Sequence, residues 1–311
     1  MNVLSLFDGM SCGQIALDRL GIPVDQYFAA EIDPAAITVA KANYPNTRHL
    51  GDVRKVDADL LPKIDLLIGG SPCQGFSFAG KQLNFEDPRS QLFFEYVRLL
   101  RELKPRYFLL ENVKMSKESE RVISGLLGVE PIEINSNLVS AQNRRRLYWT
   151  NIPVNGLPAD RGIKLADILE HGHVDREKAH CIDANYFKGG NPKSYFGKNR
   201  RQLVFEKPLI MQVARGKNAG GLKAHNGKVP TLSANAWQHN NHLTFDEGNT
   251  YRKLTPLECE RLQTVPEGYT AHVSNTQRYR MLGNGWTVDV VAHILAPLAD
   301  IYSHAPAHAA E

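Results

Sequence analysis

The sequence predicts an α/β protein built around a doubly wound, mostly parallel sheet. Strand-like and helix-like segments alternate over about the first 150 residues, which is typical of sheets whose strands are joined by crossover helices. Glycine-containing turns follow two of the strand-like segments, at residues 7–13 and at Gly69 and Gly70. Because ligands of open α/β sheets bind at the carboxyl ends of the strands, both turns are predicted to border a binding site.

The first predicted strand, residues 3–6, runs into a glycine turn and then into a helix that continues to Leu20. Glycines in such a turn allow backbone N–H groups and a helix N-terminus to approach a ligand. The turn reads Phe-Asp-Gly-Met-Ser-Cys-Gly and is not a GxGxxG motif. A dinucleotide pyrophosphate is therefore a poor candidate ligand.

The next two predicted strands end close to acidic residues. Residues 27–30 end at Glu31, and Asp33 with Pro34 suits the N-cap and first position of the following helix. Asp52 follows the end of a third strand. An acid after the second strand commonly binds ribose hydroxyls, although a solvated surface acid is about as common at such a position.

Residues 64–80 read IDLLIGGSPCQGFSFAG and place a cysteine just beyond a buried strand. A lone cysteine is most often a small, buried apolar residue. Cys73 instead lies between Pro72 and a glycine-rich loop, at the carboxyl edge of the predicted sheet. It is therefore a candidate nucleophile.

The rest of the predicted sheet lies before residue 153. Apolar periodicity predicts a helix over 91–100, which Pro105 stops, and then a buried strand over 106–110 that ends in Glu111-Asn112-Val113. A helix over 116–127, a strand-like stretch over 132–138 and a closing strand over 147–152 follow. The run Gln-Asn-Arg-Arg-Arg at 142–146 precedes the closing strand.

The composition changes at Pro153. Residues 160–250 are rich in glycine, asparagine, lysine and aromatic residues and show little helical periodicity. Between 188 and 217, Glu206 is the only acid, whereas the bases are Lys188, Lys193, Lys198, Arg200, Arg201, Lys207, Arg215 and Lys217. This pattern favours contact with a nucleic-acid backbone, and a solvated lysine-rich surface is the alternative. Helical patterns return with a capping box that starts at Thr255 and again over 287–301.

The composition is that of an ordinary globular protein. Of the 311 residues, 42% are hydrophobic and 23% are charged, and the net charge of +4 does not by itself indicate a nucleic-acid partner.

No apolar run approaches the ~20 residues of a membrane helix, and the start lacks the basic segment of a secretory signal. Four separated cysteines fit a reducing compartment, so a cytoplasmic protein is predicted. His171, His173, His180 and Cys181 match no common zinc spacing, so no metal site is predicted.

A set of short motifs resembles that of the cytosine-C5 DNA methyltransferase family, in the family's usual order. The motifs are Phe7-Asp8-Gly9, Glu31, Asp52, Pro72-Cys73-Gln74, Glu111-Asn112-Val113, Gln142-x-Arg144-x-Arg146 and Gly283-Asn284. The resemblance covers the whole chain and is closest to the bacterial and phage type. The first motif, and Trp286 in the last, resemble the mammalian de novo methyltransferases more closely.

The resemblance implies a Rossmann-like, S-adenosylmethionine-dependent methyltransferase sheet with a smaller β-rich target recognition domain. We expect the catalytic and cofactor-binding domain at residues 1–158 plus 270–311 and the recognition domain at 159–269. The implied activity is methylation of cytosine C5 in a specific double-stranded DNA sequence, as in restriction-modification systems, by a monomer in the cytoplasm or at the nucleoid. Transfer RNA as the substrate, and a catalytically silent DNA-binding protein, are the alternatives.

The resemblance also implies covalent catalysis on a cytosine flipped out of the duplex. The Cys73 thiolate adds to C6 and thereby makes C5 nucleophilic. Glu111, protonated beside an apolar strand, donates to N3, while Arg146 holds O2 and Arg144 orients the loop or a phosphate. An ordered water is the expected acceptor of the C5 proton.

The implied contacts with S-adenosylmethionine come from residues at the strand ends and near the C-terminus. These residues are Phe7, Asp8, Gly9, Gly13, Glu31, Ile32, Asp52, Val53, Pro72, Leu92, Asn284 and Trp286. Phe7 is expected to pack on the adenine or the sulfonium, Glu31 to bind the ribose hydroxyls, and Asp52 to reach the adenine amine.

Overall fold

The computed structural model describes residues 1–72, 88–207, 209–212, 214, 217, 219–223, 242–244 and 250–302. Residues 73–87, which include Cys73, and residues 303–311 lie outside the described residues. None of the described helices is both long enough and apolar enough to cross a membrane.

A seven-stranded sheet forms the centre of the molecule, with the strand order β3-β2-β1-β4-β5-β8-β6. Its strands are β1 (Asn2–Leu6), β2 (Gln26–Ala30), β3 (Arg48–His49), β4 (Leu66–Gly69), β5 (Tyr107–Val113), β6 (Ile132–Asn135) and β8 (Arg145–Thr150). Strands β1 to β5 pair in parallel, whereas β8 runs antiparallel to both β5 and β6. The prediction of a doubly wound, mostly parallel sheet is therefore confirmed.

Helices cover the two faces of this sheet. They are α1 (Cys12–Arg19), α2 (Pro34–Asn43), α3 (Pro88–Leu103) and α4 (Lys117–Leu127), followed near the C-terminus by α6 (Pro256–Leu262), α7 (Asn275–Asn284) and α8 (Val288–Tyr302). Alternate strand residues enter opposite cores: Leu66 and Ile68 of β4 join one buried cluster, and Leu67 joins the other. This burial on both faces explains why the central strands are continuous apolar runs.

The strand order reverses between β1 and β4. The chain proceeds from β1 outward through β2 and β3, then returns to place β4 on the other side of β1. The carboxyl ends of β1 and β4 therefore diverge at a topological switch point, where ligands of open sheets bind. Both predicted glycine turns begin at this point.

Local sequence signals decide several helix starts. The Asp33 side chain accepts a hydrogen bond from Ala35 N at the start of α2, as an N-cap should. Thr255 and Glu258 make both bonds of the predicted capping box at the start of α6. In contrast, the stretch predicted as a strand over 132–138 divides into β6 and a 3₁₀ turn, Ser136–Leu138, because the Asn135 side chain caps that turn.

Outside the large sheet, the chain forms small sheets and short helices. The described elements are β7 (Gln142–Asn143), β9 (Ala179–His180), α5 (Pro192–Lys198), β10 (Leu203–Phe205), β11 (Leu209–Gln212), β12 (Gly221–Lys223), β13 (His242–Thr244) and β14 (Tyr251–Lys253). Strand β10 pairs with β14, β7 with β9, and β11 with both β12 and β13.

Two contacts tie this region to the large sheet. Arg252 of β14 forms an ion pair at 2.8 Å with Glu258 of α6, whose side chain is fully buried. Gln142 of β7 donates to the Leu262 carbonyl at 2.9 Å. The second contact packs α6 against the QxRxR segment, and the domain boundary at residues 269 and 270 stays a prediction.

Candidate active site

A cavity of about 590 Å³ opens at the switch point. Of the predicted cofactor residues, those that line it are Phe7, Asp8, Gly9, Glu31, Ile32, Asp52, Val53, Pro72, Leu92, Asn284 and Trp286. The predicted catalytic residues Glu111, Arg144 and Arg146 line the same cavity. Segments far apart in sequence thus converge on one site, and their individual roles stay predictions.

The Glu31 carboxylate is held rigidly by backbone donors. Its Oε2 accepts from Gly9 N at 2.8 Å, and its Oε1 accepts from Ile32 N at 2.8 Å and Asp33 N at 2.7 Å. A carboxylate can accept about four hydrogen bonds, so one site remains for a ligand hydroxyl. Beside it, the Ile32 side chain is 68% exposed and offers an apolar surface at the cavity wall.

The turn after β1 adopts an unusual backbone. Phe7 and Ser11 have φ values of +58° and +63°, in the left-handed region that non-glycine residues rarely occupy. Such conformations persist where the surrounding structure enforces them, and they cluster at ligand sites. Here they aim the Asp8 side chain inward, where it accepts hydrogen bonds from Ser11 Oγ and, at 2.8 Å, from Tyr27 Oη. Burial raises the pKa of Asp8 from 3.8 to about 6, and these hydrogen bonds only partly offset that rise.

Asp52 has a partner that the sequence did not reveal. Arg54 donates to Asp52 Oδ1 through its backbone N and its Nε, both at 3.0 Å, and Nη2 contacts Oδ2. The hydrogen bonds from Arg54 lower the pKa of Asp52. The only sequence signal is an acid and a base two residues apart, which is too common to indicate a site.

Glu111 lies within β5 rather than beyond its end, because the strand continues to Val113. Its Oε1 is 3.0 Å from Arg146 Nε, and its Oε2 accepts from Trp286 Nε1 at 3.1 Å. Glu111 and Arg146 are both mostly buried, with side chains 11% and 15% exposed. Each oxygen of the Glu111 carboxylate therefore faces one donor.

Arg144 is turned away from solvent and bonds to the backbone of two other segments. Its guanidinium donates to the carbonyls of Ile182 at 3.2 Å, Gly283 at 3.3 Å and Gly285 at 2.9 Å, and it lies 3.2 Å from Cys181 Sγ. The sequence resemblance implied that Arg144 orients either a loop or a phosphate. These contacts with backbone carbonyls favour the orientation of a neighbouring segment over phosphate binding.

Gly13 does not line the cavity. A Cβ atom at this position would lie 2.2 Å from Cδ1 of Ile68, so the glycine lets α1 pack closely on β4. The tight packing accounts for the glycine, and the contact with the cofactor expected from the sequence stays a prediction.

The stem of the cysteine loop is anchored at the cavity. Asn112 Nδ2 donates to the Ser71 carbonyl at 3.4 Å and contacts Ser71 Oγ at 3.3 Å. Pro72, the residue before Cys73, lines the cavity. Cys73 itself lies outside the described residues.

The histidines of the second half have separate partners. The His173 backbone pairs with Phe205, whereas the His180 ring contacts Arg176 and packs edge-on against Tyr195. Cys181 lies against Arg144.

Gly283 lies near the end of α7 and lines the cavity, so a substitution there tests how tightly the cavity wall is packed. A Cβ atom there would lie 2.2 Å from the Asp183 carbonyl carbon and 2.5 Å from Ala184 N, which are backbone atoms with little freedom to move. We expect Gly283→Ala to lower the free energy of unfolding by about 1–3 kcal/mol, measured by urea denaturation.

The matched control is Gly125→Ala in α4. No atom lies within 4 Å of a Cβ at Gly125, so alanine should raise the free energy of unfolding by about 0.5–1 kcal/mol through helix propensity. Equal effects of the two substitutions would contradict the tight packing of α7 on residues 183 and 184.

The mostly parallel sheet with a cavity at its switch point is a Rossmann-like fold, and solved methyltransferase structures share it. The structure of S. pombe Dnmt2 methyltransferase superposes with a TM-score of 0.64 at 21% identity, covering 97% of this chain and 99% of the other. Entamoeba histolytica methyltransferase EhMeth superposes with a TM-score of 0.67 at 15% identity, covering 97% and 98%. Such methyltransferases generally use S-adenosylmethionine.

The chain belongs to the C-5 cytosine-specific DNA methylase family, whose model matches residues 1–124 and 140–299. Type II methyltransferase M1.ScrFI of Lactococcus lactis subsp. cremoris is 32% identical over 314 residues, covering 96% of this chain and 78% of the relative. Type II methyltransferase M.NlaX of Neisseria lactamica is 30% identical over 310 residues, covering 94% of each. The resemblance read from the motifs is confirmed, and the protein is a DNA cytosine-5 methyltransferase.

Proposed function

We propose that this enzyme transfers a methyl group from S-adenosylmethionine to C5 of a flipped cytosine in a specific sequence of duplex DNA, through a covalent bond between Cys73 and C6. The observation that carries this proposal is the Glu111–Arg146 ion pair at 3.0 Å, which faces the same cavity as the Glu31 cradle and the stem of the Cys73 loop. The Glu111 carboxyl, the anion-binding Arg146 guanidinium and the cofactor pocket therefore lie in one cleft.

The cavity suits S-adenosylmethionine, which supplies an electrophilic methyl group when bound. The backbone-fixed Glu31 carboxylate is placed to accept the ribose hydroxyls, and the exposed Ile32 side chain offers a face for the adenine. Asp8 supplies an acidic group near the switch point for the cationic part of the ligand. The volume of about 590 Å³ lies within the range of small-molecule pockets.

The protein's own residues divide the work on the cytosine. Cys73 adds to C6, and its thiolate is the reactive form. Glu111 and Arg146 hold the N3 and O2 edge of the ring, where negative charge develops during the addition. Cys12 also lines the cavity, but burial raises the pKa of its thiol to about 12, so it is unsuited to act as the nucleophile.

Residues 159–269 are proposed as the target recognition region. The lysines around α5, Lys188, Lys193 and Lys198, are exposed and suit phosphate contacts, which position a protein on DNA without reading its sequence. Base-specific contacts are assigned to the same region as a whole. The remaining parts, 1–158 and 270–311, would bind the cofactor and the flipped base.

Cofactor binding should depend on pH through Asp8. Because the pKa of Asp8 in the protein without ligand is about 6, its carboxyl is largely neutral at pH 5 and ionised at pH 7.5. A cationic ligand prefers the ionised form, so the affinity for S-adenosylmethionine should rise between these pH values. Isothermal titration without DNA measures this change.

Asp8→Asn is the matched variant for that measurement. The amide oxygen can still accept from Tyr27, but it carries no charge, so the rise of affinity around pH 6 should disappear. A profile that is flat in the wild type, or equally steep in Asp8→Asn, would contradict the role of Asp8.

The substrate is tested by comparing methyl incorporation into duplex DNA and into transfer RNA, followed by bisulfite sequencing of DNA from cells that express the chain. We expect cytosine-5 methylation confined to one short DNA sequence. Methylation of transfer RNA alone would show that the substrate is RNA. DNA binding without methylation of either substrate would show that the chain is a catalytically silent DNA-binding protein.

A further inference from the structure

Trp286 joins the cofactor cavity to the predicted catalytic acid. Its side chain lines the cavity, and its indole Nε1 donates a hydrogen bond to Glu111 Oε2 at 3.1 Å. Trp286 follows α7, whereas Glu111 lies in β5, so two distant segments meet at this bond.

The Glu111 carboxylate is held at both oxygens by different residues. Arg146 Nε lies 3.0 Å from Oε1, and Trp286 Nε1 lies 3.1 Å from Oε2. With one donor on each oxygen, rotation of the carboxylate about its terminal bond would break at least one contact. Each oxygen retains a further lone-pair site for a substrate.

Gly70 provides the space for this arrangement. A Cβ atom at Gly70 would lie 2.9 Å from Trp286 Nε1 and 3.0 Å from Glu111 Oε2. The first of these contacts is shorter than real Cβ atoms show, and the second would require the carboxylate to shift. A glycine is therefore needed directly after β4, where the indole meets the carboxylate.

The backbone on both sides of Trp286 is fixed by buried polar groups. The Gly285 carbonyl accepts from Arg144 at 2.9 Å and from Gln263 at 3.2 Å. Thr287 Oγ1 donates to Gln263 Oε1 at 2.8 Å. Gln263 is completely buried, so this network sets the position of the indole with little freedom.

We propose that Trp286 is a positioning residue for methyl transfer: its indole N–H fixes the Glu111 carboxylate while its ring forms part of the cofactor cavity wall. The inference rests on the proposed function, because it assigns Glu111 to the reacting cytosine. Trp286 thereby sets the position of the Glu111 carboxylate relative to the cofactor pocket. Removal of the N–H should impair the chemical step and leave cofactor binding nearly intact.

Trp286→Phe separates these two effects, because it keeps an aromatic ring in the wall and removes the donor. We expect the single-turnover methylation rate with saturating DNA and S-adenosylmethionine to fall about 10- to 100-fold, as the loss of a hydrogen bond to a charged group predicts. The dissociation constant for S-adenosylhomocysteine, measured by calorimetry without DNA, should change less than about threefold.

The matched control is Trp149→Phe in β8. Trp149 is fully buried, and its Nε1 donates to Ser124 Oγ at 3.0 Å, away from the cavity. This variant loses the same N–H group, so it should be less stable yet keep the wild-type methylation rate.

A double variant tests whether Trp286 acts through Glu111. In a Glu111→Ala background, Trp286→Phe should slow the residual reaction no further, because the two changes disrupt one interaction. Trp286→Met, which keeps an apolar side chain in the cavity wall and has no N–H or O–H donor, is the second variant should Trp286→Phe fail to fold, and the same separation of rate and affinity is expected.

The inference is wrong if the folded Trp286 variants keep the wild-type rate, if their S-adenosylhomocysteine affinity falls as much as their rate, or if the double variant shows additive losses. Failure of the proposed function would look different, because the wild-type protein would then methylate no duplex DNA at all.

Discussion

Cys73→Ala should abolish methyl transfer while leaving DNA and cofactor binding in place. Without a thiolate at C6, cytosine C5 remains part of an aromatic ring and is too weak a nucleophile to accept the methyl group. No incorporation of radiolabelled methyl into duplex DNA is expected, whereas gel-shift binding should persist. Any measurable methylation at the wild-type sequence would show that Cys73 is not the nucleophile.

Cys259→Ala is the matched control for that loss. Cys259 is a free cysteine buried in α6, and burial raises the pKa of its thiol far above neutrality. Such a thiol is inert, so its removal should cost some stability but no activity. A rate loss equal to that of Cys73→Ala would point to a general requirement for thiols in folding.

The covalent bond itself can be trapped with a duplex that carries 5-fluorocytosine at the methylated position. Completion of the reaction requires removal of the C5 proton, and fluorine cannot leave as a cation. The wild-type chain should therefore remain joined to the DNA through denaturing electrophoresis, and Cys73→Ala should not. Cys73→Gly, which also lacks the thiol, should bind ordinary duplex DNA at least as tightly as the wild type.

The sheet could be predicted from the sequence because its determinants are local. Continuous apolar runs such as residues 66–68 identify buried parallel strands, and Asp33 beside Pro34 identifies a helix start. The order of strands and helices then fixed the edge of the sheet at which a site would form. The same logic missed α7, whose sequence is mostly polar and whose buried residues are confined to Tyr279, Met281, Leu282 and Gly283.

The cavity residues were predictable as a set, but their pairings were not. Glu31 follows a strand and is read directly from that position. The partner of Asp52 is Arg54, and the partners of Glu111 are Arg146 and Trp286, which depend on side-chain directions that spacing does not encode. Gly13 shows that a glycine in such a turn has a second possible cause, since the close packing of α1 on β4 also requires it.

Glu111→Gln should slow methyl transfer by about 10²- to 10⁴-fold, the range expected when a proton-transfer group is lost. The amide has nearly the same shape, but it cannot exchange a proton with N3 as the charge develops on the ring. The glutamine amide has only one acceptor oxygen, whereas Arg146 and Trp286 contact different oxygens of Glu111. One of these two donors therefore loses its partner. Single-turnover rates with saturating DNA measure the effect.

Glu133→Gln provides a control on the same sheet. Glu133 lies in β6 and pairs with Lys114 at 3.2 Å and Arg145 at 3.6 Å, but it is not part of the cavity. The same change of charge there should leave the rate within about twofold, because Glu133 does not line the cavity and its exposed ion pairs contribute little to stability. An unchanged rate in Glu111→Gln would remove Glu111 from the proton-transfer step. The Arg146 pair would then be structural, and another group would have to stabilise the charge that Cys73 addition places on the ring.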